Sequence, residues 1–200
     1  MKQVLIFSLF ILFVASQDSD VVEIELDIPS DDGWKWREGS RISSGFTSGR
    51  SQFPFVALML VKMGGIGRMC TGTLISNRWL VGAKSCLILG QTGEFEKSIE
   101  ITLGSVNRYS GVSYFGKRII YRSNADFALY ETVSEIKMNS NNIKAIRLPS
   151  VALTNLRFEG SIGFFIGFGQ VQLDQYSSFL QYANLIVASQ SECNLDGFKY

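Results

Sequence analysis

The sequence predicts an all-β fold, a barrel or a sandwich, from three observations. Short runs rich in Val, Ile, Phe, Thr and Tyr recur beyond residue 41, Gly, Asn and Ser punctuate them, and no long stretch keeps a 3.6-residue period. Of the 200 residues 46% are apolar, enough to bury a core. Taken in order, aromatic and β-branched residues mark strands at Phe53–Lys62, Met69–Ser76, Trp79–Ala83 and Ile99–Leu103. The same composition marks Tyr114–Tyr121, Phe127–Glu131, Ile162–Phe168 and Phe179–Ala188, and a short helical turn fits Ser189–Cys193.

Ahead of these strands lie two segments of different character. Lys2 precedes an apolar run from Val4 to Ala15 broken only by Ser8, which reads as a secretory signal peptide over residues 1–16. The run is too short for the roughly 18–20 apolar residues that a membrane span needs, so the mature form, from Gln17, is expected outside the membrane and extracellular. Residues 17–41 form an acidic leader. Up to Ser40 it carries eight acids against Lys35 and Arg37, whereas residues 41–200 carry sixteen bases and ten acids. A net charge of +1 therefore hides −6 over residues 17–40 and +6 over residues 41–200, with Lys2 making up the total. The leader is expected to be a solvated linker, with shielding of a basic face as the alternative.

Composition also excludes function classes. So small a net charge offers no extended field for a phosphate backbone, and nucleic-acid binding is not expected. The chain contains no histidine, which removes the commonest general base near neutral pH and the commonest metal ligand. Without histidine or a CxxC pair, the three cysteines read as disulfide chemistry, and no metal or cofactor is expected. Cys70 and Cys86 can close a modest loop, which leaves Cys193 over. No Asn-X-Ser/Thr sequon occurs.

The segment Cys70-Thr-Gly-Thr-Leu-Ile-Ser-Asn-Arg-Trp-Leu-Val-Gly-Ala-Lys-Ser-Cys86 resembles the signature around the active-site histidine of trypsin- and chymotrypsin-like serine proteases (peptidase family S1). Further landmarks of that family follow in its order. Arg41-Ile42-Ser43-Ser44-Gly45 resembles the activation site, Gln52-Phe53-Pro54-Phe55 the first strand, and Asn124-Ala125-Asp126-Phe127-Ala128-Leu129 the segment bearing the catalytic aspartate. Ile146-Arg147-Leu148-Pro149 resembles the linker between barrels, and Gly167-Phe168-Gly169 the family's Gly-Trp-Gly. The resemblance spans residues 41–193 and implies a double β-barrel over residues 42–200, a Cys70–Cys86 disulfide, and an activation-type cleavage site at Arg41–Ile42.

The same resemblance implies a degenerate site. Ser85 stands at the histidine position, and a serine hydroxyl cannot accept a proton near pH 7. The family's Gly-Asp-Ser-Gly-Gly nucleophile segment lies downstream of the cysteine that Cys193 resembles, so the second barrel is expected to be incomplete and Cys193 unpaired. A Lys84–Ser85 dyad is disfavoured, because neighbours on an extended strand point to opposite faces. Asp126 is expected as a partly buried carboxylate bonded to backbone N–H groups, or neutralised by the Lys84 ammonium unless that side chain points to solvent. The expectation is a secreted, non-catalytic serine protease homologue that binds a protein partner, a protease or a protease substrate. The alternative is a fragment of a secreted serine endopeptidase.

Overall fold

The computed structural model describes residues 21–26, 35–37, 45–63, 66–89, 94–95, 98–139, 141–151, 158–172, 175–189 and 191–192. The chain runs through β1 (Val21–Glu25), β2 (Lys35–Arg37), β3 (Phe46–Thr47), β4 (Val56–Met63), β5 (Ile66–Leu74), β6 (Trp79–Ala83), β7 (Ile88–Leu89) and β8 (Glu94–Phe95). It continues through β9 (Ser98–Leu103), β10 (Val112–Arg122), β11 (Phe127–Thr132), β12 (Ile162–Gly167), β13 (Gln170–Gln172), β14 (Gln175–Tyr176) and β15 (Gln181–Ile186). Each of the eight runs of β-formers in the sequence carries one of the longer strands.

Strand β4 explains the architecture, because its unbroken apolar run serves two cores. Side chains alternate across a strand. Ala57, Met59 and Val61 therefore enter one buried cluster with Leu74, Leu80, Ile99, Ile101, Ile119 and Tyr130. Val56 and Leu58 enter a second cluster with Phe168 and Leu180. The first cluster fills a closed six-stranded antiparallel barrel, in which β4 pairs with β5, β5 with β6, β6 with β11, β11 with β10, β10 with β9, and β9 with β4 again. Strand β10 spans two neighbourhoods: Val112–Phe115 pair with β9, and from Gly116 to Tyr121 the strand pairs with β11, with a register shift between Gly116 and Arg118. Phe53 to Phe55 form a turn rather than the start of β4, closed by the Val56 N–H on the Phe53 carbonyl at 3.1 Å. Pro54 has no N–H to give to a ladder.

The leader departs from expectation. In place of a solvated linker, Val21–Glu25 pair antiparallel with Arg122–Arg118 of β10, and Lys35–Arg37 pair parallel with Ile66–Arg68 of β5. Val22 and Leu26 pack against the barrel core, while Glu23 and Glu25 are exposed. The alternation Val22-Glu23-Ile24-Glu25-Leu26 is the period-two signal of a half-buried strand, and it outweighs the acidic composition around it.

Beyond the barrel, Lys144–Ser150 carry no strand, and the Ile146 N–H bonds to Leu74 O at 2.9 Å. A second, partial sheet follows in the order β12, β15, β3. It is joined to the barrel through the Phe168 N–H on Thr71 Oγ1 at 3.3 Å and the Leu180 N–H on Val106 O at 2.7 Å. Ile162, Phe164, Leu185 and Ile186 on this sheet remain exposed. The architecture is thus one closed barrel and an incomplete second one, as the resemblance implies.

Candidate functional site

Strand β6 delivers the site. After Ala83 the chain leaves the extended conformation for a 3₁₀ turn at Lys84–Cys86, closed by the Leu87 N–H on Lys84 O at 2.9 Å. Leu87 is fully buried and anchors the turn from below. From the side, a disulfide joins Cys86 to Cys70 on β5, with 6.3 Å between the Cα atoms. The Arg68 guanidinium, two residues before Cys70 and so on the same face of β5, donates from Nη1 to the Ser85 carbonyl. Tyr130, in the barrel core, donates its hydroxyl to Ala83 O at 2.8 Å, and burial pushes its pKa well above the ordinary value.

Asp126 immediately precedes β11, whose Phe127 lies opposite Ala83. The Lys84 N–H continues that ladder by donating to Asp126 O at 2.8 Å. Positions 85 and 126 therefore meet at one end of the β6–β11 pair. The side chains do not interact as expected. Asp126 is exposed, not partly buried, and among the described residues its carboxylate has neither an ion pair nor a hydrogen bond. The Lys84 ammonium donates instead to Ser123 O at 2.7 Å and lies 5.7 Å from the centre of the Tyr121 ring. The ammonium is taken by a backbone carbonyl at the end of the strand, and Lys84 and Asp126 form no ion pair.

Ser85 is exposed, and its hydroxyl has no hydrogen-bond partner among the described residues. Lys84 and Ser85 lie on a 3₁₀ turn, not on an extended strand, so strand alternation does not set their side chains apart. The lysine is committed to Ser123 O, and no contact joins it to the Ser85 hydroxyl. The arrangement brings together a hydroxyl, a carboxylate and two cations, and the chain has no imidazole to add to them. Arg41, Ile42 and Cys193 lie outside the described residues, as does the signal segment. Arg68 and Tyr130 hold the turn through contacts that the sequence barely signals. Arg68 sits one strand repeat from Cys70, which is the only sequence signal for it, and Tyr130 has none beyond its alternation with Ala128.

Comparison with known proteins bears on this geometry. The family model described as Trypsin matches residues 42–199. This chain belongs to the trypsin family. A collagenase of Hypoderma lineatum is 32% identical to the trypsin-family chain over 165 residues, covering 78% of this chain and 60% of the collagenase. Trypsin 5G1 of Aedes aegypti is 29% identical over 170 residues, covering 79% of this chain and 59% of its own length. Among solved structures, HL collagenase superposes with a TM-score of 0.68 at 25% identity, covering 78% of this chain and 67% of that one. The trypsin-family chain thus spans about 60% of the length of the curated relatives it matches. The Cys70–Cys86 bond and the closed barrel are the parts of the family pattern that the structure itself carries.

Proposed function

We propose that this trypsin-family chain is a secreted protein that does not cleave peptides and acts by binding another protein, a protease or a protease substrate. The observation that carries the reading is Ser85. At the position that resemblance assigns to the general base stands an exposed hydroxyl with no hydrogen-bond partner among the described residues, beside a Lys84 ammonium bonded to Ser123 O and an exposed Asp126. Without a basic nitrogen at that place the triad has nothing to take the nucleophile's proton. The apolar segment at residues 1–16 and a disulfide in the barrel support export through an oxidising route.

The competing reading is an endopeptidase of which these residues are a part, and one experiment separates the two. The protein is captured by antibody from the fluid of its source, cut at Arg41 with immobilised trypsin, and assayed for ester hydrolysis and for labelling by a fluorophosphonate. The expected result is turnover at the buffer rate and no labelled serine. A labelled serine, or turnover above buffer, makes the protein an enzyme and overturns the reading.

A further inference from the structure

The leader lies upstream of the Arg41–Ile42 bond, yet two of its segments are strands of the barrel's own sheet. We propose that the edge of β10 from Arg118 to Arg122 is a binding site for an extended acidic strand, that the leader occupies it, and that the leader stays bound there after scission between Arg41 and Ile42. The inference holds whether or not the protein is catalytic.

Four observations carry it. Five residues of β1 pair in continuous register with β10, from Val21 opposite Arg122 to Glu25 opposite Arg118, and the Leu26 N–H extends the contact to Lys117 O at 2.8 Å. Three more leader residues pair with β5. Apolar burial accompanies the ladder. Val22 and Leu26 pack on the core, and a Cβ at Gly116 would come within 2.6 Å of Leu26 Cδ1, so the glycine leaves the space that the leucine fills. Charge is complementary as well: Arg118 pairs with Glu23 of the leader and with Glu131 of the barrel, and its guanidinium lies 5.5 Å from the centre of the Trp79 ring. Residues 17–41 carry a net −5 against +5 for residues 42–200. Finally, residues 17–41 contain no cysteine, so any attachment that survives scission is non-covalent.

The test uses the whole mature chain with a site-specific protease sequence inserted between Arg41 and Ile42. The chain is cut under native conditions and passed over a gel-filtration column, and the leader peptide is followed by mass spectrometry. At low salt the leader is expected to co-elute with the body. High salt, which screens the Glu23–Arg118 pair, is expected to reduce retention. Val22→Asp, which sets a charge against the core, is expected to lower the retained fraction about tenfold or more. Release of the wild-type leader at low salt, or equal retention of the Val22→Asp leader, overturns the proposal. Hydrogen exchange on the wild-type protein guards against a misfolded variant. Amides of Arg118–Arg122 that face β1 are expected to stay slow after scission, and a rise to the rate of a free peptide overturns the proposal equally.

Discussion

Lys84 donates its backbone N–H to the Asp126 carbonyl at 2.8 Å, yet its ammonium lies 2.7 Å from the Ser123 carbonyl and no ion pair joins the two side chains. The backbone ladder that brings positions 84 and 126 together therefore says nothing about their charges. A double-mutant cycle of Lys84→Met and Asp126→Asn, read by denaturant unfolding, is expected to give a coupling below about 0.5 kcal/mol. A coupling well above 1 kcal/mol would mean that the two charges do meet.

The Cys70–Cys86 bond closes a loop of sequence separation 16 and fixes the turn that carries Ser85. On the chain-entropy account, the double variant Cys70→Ala/Cys86→Ala loses about 3 kcal/mol of stability. Thiol labelling of the denatured, unreduced protein is expected to leave Cys70 and Cys86 unmodified. Peptide mapping of the label checks the assignment.

Tyr130 ties the end of β6 to the core through its bond to Ala83 O. Burial raises its pKa above the ordinary 10.0, so the unfolded chain loses this proton at a lower pH than the folded one. The contribution of Tyr130 to stability is therefore complete below about pH 10 and declines as the pH rises further, by up to about 1.4 kcal/mol per pH unit. Tyr130→Phe is expected to cost about 0.5–1.5 kcal/mol at neutral pH and to flatten the alkaline decline. Stability measured across the alkaline range in both proteins decides it.

Glu131 is buried on β11 and depends on Arg118, with Lys117 Nζ a more distant partner at 3.8 Å. Arg118→Met leaves that carboxylate poorly compensated and is expected to destabilise the barrel by about 1–3 kcal/mol. Adding Glu131→Gln removes the stranded charge and is expected to recover part of the loss. Failure to recover any of it would place the cost in packing against Trp79 rather than in charge.

Much of the barrel was legible because its strands advertise themselves in composition. Phe127–Glu131 and Trp79–Ala83 match β11 and β6 almost residue for residue, since runs of aromatic and β-branched residues bounded by turn-formers have few other solutions. Strand β1 is hidden in the sequence, because the dense acidic residues around it mask the alternation of Val22, Ile24 and Leu26. The short pairs at β3, β7, β8 and β14 carry two residues each, too few for any periodicity to register.

By itself the sequence determined the strand-rich class and the order of landmarks that resemble the family's, and through that resemblance it implied the Cys70–Cys86 pair and placed a serine at position 85, because these rest on residue identity and order along the chain. Only the tertiary structure decided where charges went. Whether Asp126 is buried, whether Lys84 reaches it, and whether an acidic leader floats or docks depend on which acceptors and apolar surfaces lie within a few ångströms. Ser123 O took the ammonium and the β10 edge took the leader, contacts across 39 residues in the first case and across nearly a hundred in the second. Interactions of that separation arise only when the barrel closes and brings distant strands side by side.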